Sequence, residues 1–176
     1  MQSNTNTNIR KATTDDAIKM AEIVAYSWQT AYKGIVPDKV IDKEHTEERI
    51  DKLSKYLHRS ITQGLCDNFV VEEHGNAVGC FSFGMSRDND TDGRTAELIA
   101  IYVLTESRSC GYGAQCMRVI EELAKQRNCN RIVLWVLEEN KSAIKFYERH
   151  GYGFFGVNKT VDLGKTLIEI RLEKTI

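Results

Sequence analysis

The stretch Arg108-Ser109-Cys110-Gly111-Tyr112-Gly113-Ala114 lies between a β-type run, Glu97 to Leu104, and a helical run, Gly113 to Arg127. A loop that enters a helix aims several unpaired backbone N–H groups at one point, and the helix dipole makes that point positive. Such a point binds anions, a pyrophosphate among them. Gly111 and Gly113 let the backbone approach a phosphate with no Cβ in the way, and Arg108 offers a forked cation for its oxygens. Taken alone, Gly-x-Gly is equally a plain strand-to-helix turn, and the rest of the chain has to decide.

Outward from this loop the pattern is consistent. Arg131 to Leu137 reads as a strand, which completes a β-loop-α-β unit. Ala114, Met117, Ile120, Leu123 and Ala124 form one apolar side of its helix, so the helix packs on the sheet and the two strands run parallel. Upstream, Phe69 to Glu73 and Ala77 to Met85 alternate with a period of two around the turn residues His74-Gly75-Asn76, a hairpin. Earlier still come a short strand, Ile9 to Lys11, and a helix opened by Thr13-Thr14-Asp15-Asp16. Its stripe is Ala17, Ile18, Ala21, Val24, Ala25 and Trp28. Gly34 and Pro37 break the pattern before a second amphipathic helix, Glu47 to Ile61. A last helix, Lys141 to His150, ends at Gly151, and strands near Phe154 to Asn158 and Thr166 to Glu173 close the chain.

The bulk properties exclude several classes. The chain has 176 residues, 41% hydrophobic and 28% charged, which fits one soluble globular domain. Lysine plus arginine (24) nearly balances aspartate plus glutamate (25), so no global basic field favours nucleic acid or an anionic membrane. The five cysteines are odd in number and contain no C-x-x-C pair, which reads as reduced thiols in a cytoplasmic protein. No run approaches a membrane span, and the polar opening, residues 1–8, is expected to be a disordered tail ahead of a domain over 9–176.

Other motifs fail on inspection. Asp88-Asn89-Asp90-Thr91-Asp92-Gly93 opens like a calcium loop, but the twelfth position, which must supply a bidentate carboxylate, is Ile99. The stretch is expected to be a solvated acidic loop. Gly164-Lys165-Thr166 lacks the earlier glycine of a P-loop, since position 159 is Lys159. The four histidines have no metal-ligand spacing, so no metal is expected. No G-x-S-x-G elbow is present, and Cys110, although at a helix start, has no histidine partner that the sequence can place beside it.

With these residues in view, the chain resembles the GCN5-related N-acetyltransferases (GNAT), which move an acetyl group from acetyl-CoA to an amine. Arg108 to Gly113 fits the [Q/R]-x-x-G-x-[G/A] pyrophosphate loop after the β-run Leu98 to Val103. Asn140-Lys141-Ser142-Ala143-Ile144-Lys145-Phe146-Tyr147, continuing to Gly151-Tyr152, looks like the second signature, N-x-x-A-x-x-F-Y-x-x-x-G-[F/Y]. The resemblance implies a single α/β (α+β) domain with a mixed, mainly antiparallel sheet of six or seven strands flanked by about four helices. It implies acetyl-CoA as cosubstrate, no metal, an acetyltransferase activity and, as a plausible assembly, a homodimer.

The site residues follow from the same resemblance. The strand carrying Ile101, Tyr102 and Val103 splays from its neighbour and pairs with the pantetheine arm like an added strand. The backbone from Ser109 through Cys110, Gly111, Tyr112 and Gly113 to Ala114, with Arg108 at its head, takes the pyrophosphate. Asn140 hydrogen-bonds the pantetheine, beside Ala143. Tyr147 matches the proton donor to the departing thiolate, and Glu97 matches a general base. Ser109 and Thr105 depart from the glycine and proline common in the family, without removing an N–H donor.

Trp28 to Asp38 resembles a W-x-x-x-Y-x-G-[I/L]-[V/L]-P stretch that lines the acceptor site in one subset. This brings in Trp28, Tyr32, Ile35 and Val36 as substrate-binding candidates. A small-molecule primary amine is the expected acceptor. The alternatives are a peptide or protein amine, or a CoA-binding regulatory module without transfer.

Overall fold

In the computed structural model, which describes residues 7–176, the hairpin forms as the turn residues require. Strands β2 (Asp67–Glu73) and β3 (Asn76–Met85) are joined by His74 and Gly75, at φ 52° and 80°. Both torsions are left-handed, the conformation whose twist suits a two-residue hairpin. Strand β1 (Thr7–Lys11) pairs with β2 and begins two residues earlier than the sequence suggests. Of the expected tail, residues 1–6 lie outside the described residues, and Thr7 and Asn8 belong to this strand.

The remaining strands are β4 (Thr95–Val103), β5 (Arg131–Leu137), β6 (Gly153–Asp162) and β7 (Thr166–Thr175). Among the described residues they make one seven-stranded sheet in the order β1-β2-β3-β4-β5-β7-β6. All neighbours are antiparallel except β4 and β5, whose parallel pairing the β-loop-α-β pattern anticipates. That pairing covers only Thr95 to Leu98 against Arg131 to Leu134. Against β3 the register shifts at the same place: Ser82 faces Ala100 while Phe83 faces Leu98, so Ile99 is an extra residue that bends β4.

Helix α4 (Tyr112–Gln126) crosses one face of the sheet from β4 to β5, burying Cys116, Met117, Ile120 and Ala124 against Phe81, Leu98, Ile132 and Leu134. Helix α5 (Lys141–Arg149) lies on the same side through Ala143, Ile144 and Phe146. The other face is covered by α1 (Ala17–Ala31) and α3 (Glu47–Gln63), with Met20, Ala21, Ile23 and Leu57 on Val70 and Cys80. A fifth helix, α2 (Asp38–Glu44), replaces the break expected between them. Pro37 starts this helix rather than ending structure. At seven residues, with Ile41 its one buried side chain, it carries too little periodicity to be read from sequence. No helix among the described residues is long and apolar enough to cross a membrane.

The entry to α1 is tied to the sheet by charge. The Asp16 carboxylate accepts from Arg10 at 2.7 and 2.8 Å and from the Thr13 backbone N–H at 2.7 Å, while Arg10 also reaches Glu72 of β2 at 2.8 Å. Arg10 chiefly holds the Asp16 carboxyl down at about 2. Asp16→Ala is therefore expected to cost about 1–2 kcal/mol in thermal unfolding. The sign follows from the lowered value: the stabilisation is complete above the ordinary carboxylate range and is lost as pH falls through about 2, so wild type and variant should converge there.

Candidate active site

Beyond Leu98 and Leu134 the two parallel strands part, and backbone N–H and C=O groups on their facing edges lose their strand partners. A cavity of about 670 Å³ opens in this wedge, with Ile101, Tyr102 and Val103 on one side and Trp135, Val136 and Leu137 on the other. Unpaired backbone at a cavity wall needs hydrogen-bond partners, and an extended amide-bearing chain supplies them at strand spacing. The Arg108–Ala114 loop and the start of α5 complete the walls.

The loop is shaped for a helix start. Gly111 stands at φ 85° and Ser109 at φ 66°, both left-handed, and the first bond of α4 runs from Gln115 N to Gly111 O at 3.0 Å. By helix geometry the first-turn amides have no intrahelical acceptor, so Gly113 and Ala114, which line the cavity, point donors to it. Gly113 is required for a further reason: a Cβ there would meet the Phe146 ring at 3.0 and 3.1 Å. Tyr112 sends its ring into the core and its hydroxyl to Glu73, so its contribution to the cavity is backbone. Arg108 donates to Val103 O at 3.3 Å and to Thr30 Oγ1 at 3.0 Å, which ties the loop to β4 and α1. Cys110 is exposed, with its thiol toward Arg108 O, and does not line the cavity.

Asn140 caps α5 by accepting from Ala143 N at 3.1 Å, which leaves its NH₂ to the cavity that it lines. Tyr147, one turn on from Ala143, also lines it, with Phe146 and Tyr152 against its ring. Burial pushes the Tyr147 phenol above its ordinary value, and Tyr32 nearby adds to the effect. Burial likewise raises Tyr32 and Tyr102, and the Tyr102 hydroxyl has Tyr32 and Trp28 as polar neighbours. Three phenols are thus gathered at one end of the cavity and kept protonated at neutral pH.

The remaining candidates separate. Trp28 packs tilted against Tyr32, with 4.6 Å between ring centres and 57° between ring planes, but does not line the cavity. Ile35 and Val36 do not line the cavity; they pack with Ile41, Leu137 and Leu167 in a third apolar cluster, which borders the cavity through Leu137 and Tyr32. Glu97 is buried and does not line the cavity either. Its carboxylate accepts from Arg87 Nη2 at 2.6 Å, Nε at 3.0 Å and the Arg87 backbone N–H at 3.2 Å.

Sequence reasoning missed Trp135 and Glu169, which both line the cavity, and Arg171 behind them. Arg171 is 4% exposed and bonds Asp90 at 2.7 and 2.8 Å, Asp88 at 3.1 Å and Glu173 at 2.9 Å. The acidic loop is therefore not simply solvated: its first two aspartates bind it to the sheet.

Residues 26–152 match the model of the Acetyltransferase (GNAT) family. The chain is 32% identical over 143 residues to an uncharacterized N-acetyltransferase, YuaI, of Bacillus subtilis, covering 81% of this chain and 78% of the relative. It is 29% identical over 85 residues to the spermine/spermidine N(1)-acetyltransferase of the same organism, 47% of this chain and 56% of that one. The crystal structure of the PaiA N-acetyltransferase of Thermoplasma acidophilum, in complex with coenzyme A, has the same fold. Its TM-score is 0.72 at 21% identity, covering 97% of this chain and 99% of that one. The chain belongs to the GNAT family of acetyltransferases, and it is an acyltransferase that uses acetyl-CoA.

The tight contact at Gly113 gives a test of how the loop is coupled to α5. Gly113→Ala must displace Phe146, the neighbour of Tyr147, and is expected to cost about 1–3 kcal/mol in thermal unfolding. CoA binding, measured by calorimetry, should weaken with it. Unaltered affinity would separate this packing contact from the cofactor site.

Proposed function

We propose that the chain transfers the acetyl group of acetyl-CoA directly to a primary amine of a small molecule. The observation that carries this reading is the continuity of the cavity. The unpaired edges of β4 and β5, Tyr147, Tyr32 and Glu169 all border one space, so a cofactor arm and an acceptor can meet inside it. The small-molecule acceptor is further supported by the burial of Val36, with half-buried Ile35 beside it, which holds the segment after α1 against the sheet. The spermine/spermidine enzyme to which part of the chain is similar also acts on a small amine.

When bound, acetyl-CoA supplies an acetyl group already activated as a thioester. The amides of β4 and of the α4 start fix the arm and the pyrophosphate, and the Asn140 NH₂ holds the arm where the strands part. Proximity in a walled site then provides much of the rate. Tyr147 donates a hydrogen bond to the departing sulfur. Because burial raises its phenol while an alkyl thiol such as cysteine titrates near 8.5, the proton stays largely on the tyrosine, which stabilises the thiolate as a donor. The C–S bond breaks as the C–N bond forms, and the proton shed by the amine passes through water to solvent or to the released thiolate. Glu97 serves structure, holding Arg87 and the start of the acidic loop. Edge strand β6 exposes Phe154 and Phe155, a surface suited to the homodimer.

Free-thiol release from acetyl-CoA over small amines, amino acids and short peptides tests the acceptor class. Release with small amines is the expected outcome, and release with peptides alone would replace it. Tyr147→Phe should lower turnover about 10- to 100-fold, the value of one hydrogen bond to a charged group, with CoA affinity unchanged. Glu97→Gln should lower Tm by several degrees and keep the acidic limb of the pH–rate profile. Disappearance of that limb would make Glu97 the base.

A further inference from the structure

Lys159 of β6 lays its ammonium 3.9 Å from the centre of the Trp135 ring and 3.3 Å from a Glu169 carboxylate oxygen. An aromatic face beside a carboxylate is a cation site, since the ring quadrupole and the negative charge both attract an ammonium. The Trp135 ring cannot easily turn away, because its N–H donates to both oxygens of Asp88 at 3.1 and 3.2 Å, and Arg171 pins Asp88 in turn. Trp135 and Glu169 line the cavity, whereas Lys159 does not. The site thus opens into the acceptor space and is filled from outside by the chain's own lysine.

Of the cations near this ring, Lys159 is the one that can leave. Arg171, 5.8 Å from the ring centre, is buried and bound to three carboxylates. The Lys159 side chain is 46% exposed, sits on an edge strand and has Glu169 as its ion-pair partner. Around Trp135 the carboxylates of Asp88, Asp90, Glu169 and Glu173 meet Arg131, Arg171 and Lys159. The carboxylates already outnumber the cations with Lys159 in place, and its withdrawal widens the excess of negative charge that another cation can satisfy.

We propose that Trp135 and Glu169 form a binding site for a second, non-reacting ammonium of the acceptor, guarded in its absence by Lys159. The acceptors are accordingly molecules with two basic nitrogens. This rests on the reading of the cavity as an amine-acceptor site. The reacting nitrogen must present a lone pair, and a site that stabilises the ammonium form raises an amine's pKa and withholds that lone pair. The nitrogen held by Trp135 and Glu169 is therefore the one that does not react, and its charge positions the other toward Tyr147.

The test compares butane-1,4-diamine with butylamine in two assays: calorimetric titration into the CoA-bound protein, and steady-state transfer. Wild type should bind the diamine about tenfold more tightly than the monoamine. Glu169→Gln should abolish that preference, and Lys159→Ala should tighten diamine binding several-fold. CoA affinity and Tm report that each variant is folded. Equal binding of the two amines by wild type, or a preference that survives Glu169→Gln, would overturn the proposal, as would weaker diamine binding in Lys159→Ala. If the diamine binds in the expected Glu169-dependent way but neither amine is acetylated, the subsite stands and the transfer reading falls.

Discussion

The structure depends on where one hydrogen-bonded ladder stops. β4 and β5 are joined for four residue pairs, Thr95–Arg131 through Leu98–Leu134, and then diverge. The joined part anchors the α4 crossover and the core beneath it. The divergent part leaves backbone donors and acceptors facing a cavity, an arrangement that costs free energy unless those groups find partners. A fully zipped pair would be the more stable sheet and would have no site. The extra residue Ile99 bends β4 just where the pairing ends, so the divergence is built into the chain.

Several contacts hold the wedge open. On one flank Arg108 joins the glycine loop to Val103 and Thr30, and the phenol of Tyr102 meets Tyr32 and Trp28, so β4 is attached to α1 instead of β5. On the other flank β5 is committed to β7 along its whole length, from Arg131–Thr175 to Leu137–Glu169. Behind it, Arg171 gathers Asp88, Asp90 and Glu173, so the loop between β3 and β4 is clamped across the far strands. With three carboxylates compensating it, the buried Arg171 charge is satisfied and joins this end of the sheet to the loop.

The parts of the site legible in the sequence are those whose signal is local. The strand, loop and helix from Leu98 to Ala124 and the run from Asn140 to Tyr152 each carry their motif in consecutive residues, and the structure brings them to one cavity. What stayed hidden depends on distant residues. Arg171 meets aspartates more than 80 positions away, and the Trp135, Lys159 and Glu169 cluster joins three strands whose register no sequence pattern fixes. Glu97 is readable as a strand-end carboxylate, but its occupation by Arg87 follows from how the intervening loop folds back. Ile35 and Val36 resemble acceptor-site residues in sequence. They pack inward because the short α2, itself too brief to recognise, carries Ile41 against Leu137 and Leu167.

We propose that the parted edges of β4 and β5 hold CoA by backbone pairing. Amide hydrogen exchange with and without CoA reads this directly. Protection is expected to rise at the amides of Ile101 and Val103, which point away from β3, and of Gly111 to Ala114, with β1 and β6 unchanged. Binding of CoA without added protection in those two segments would contradict it.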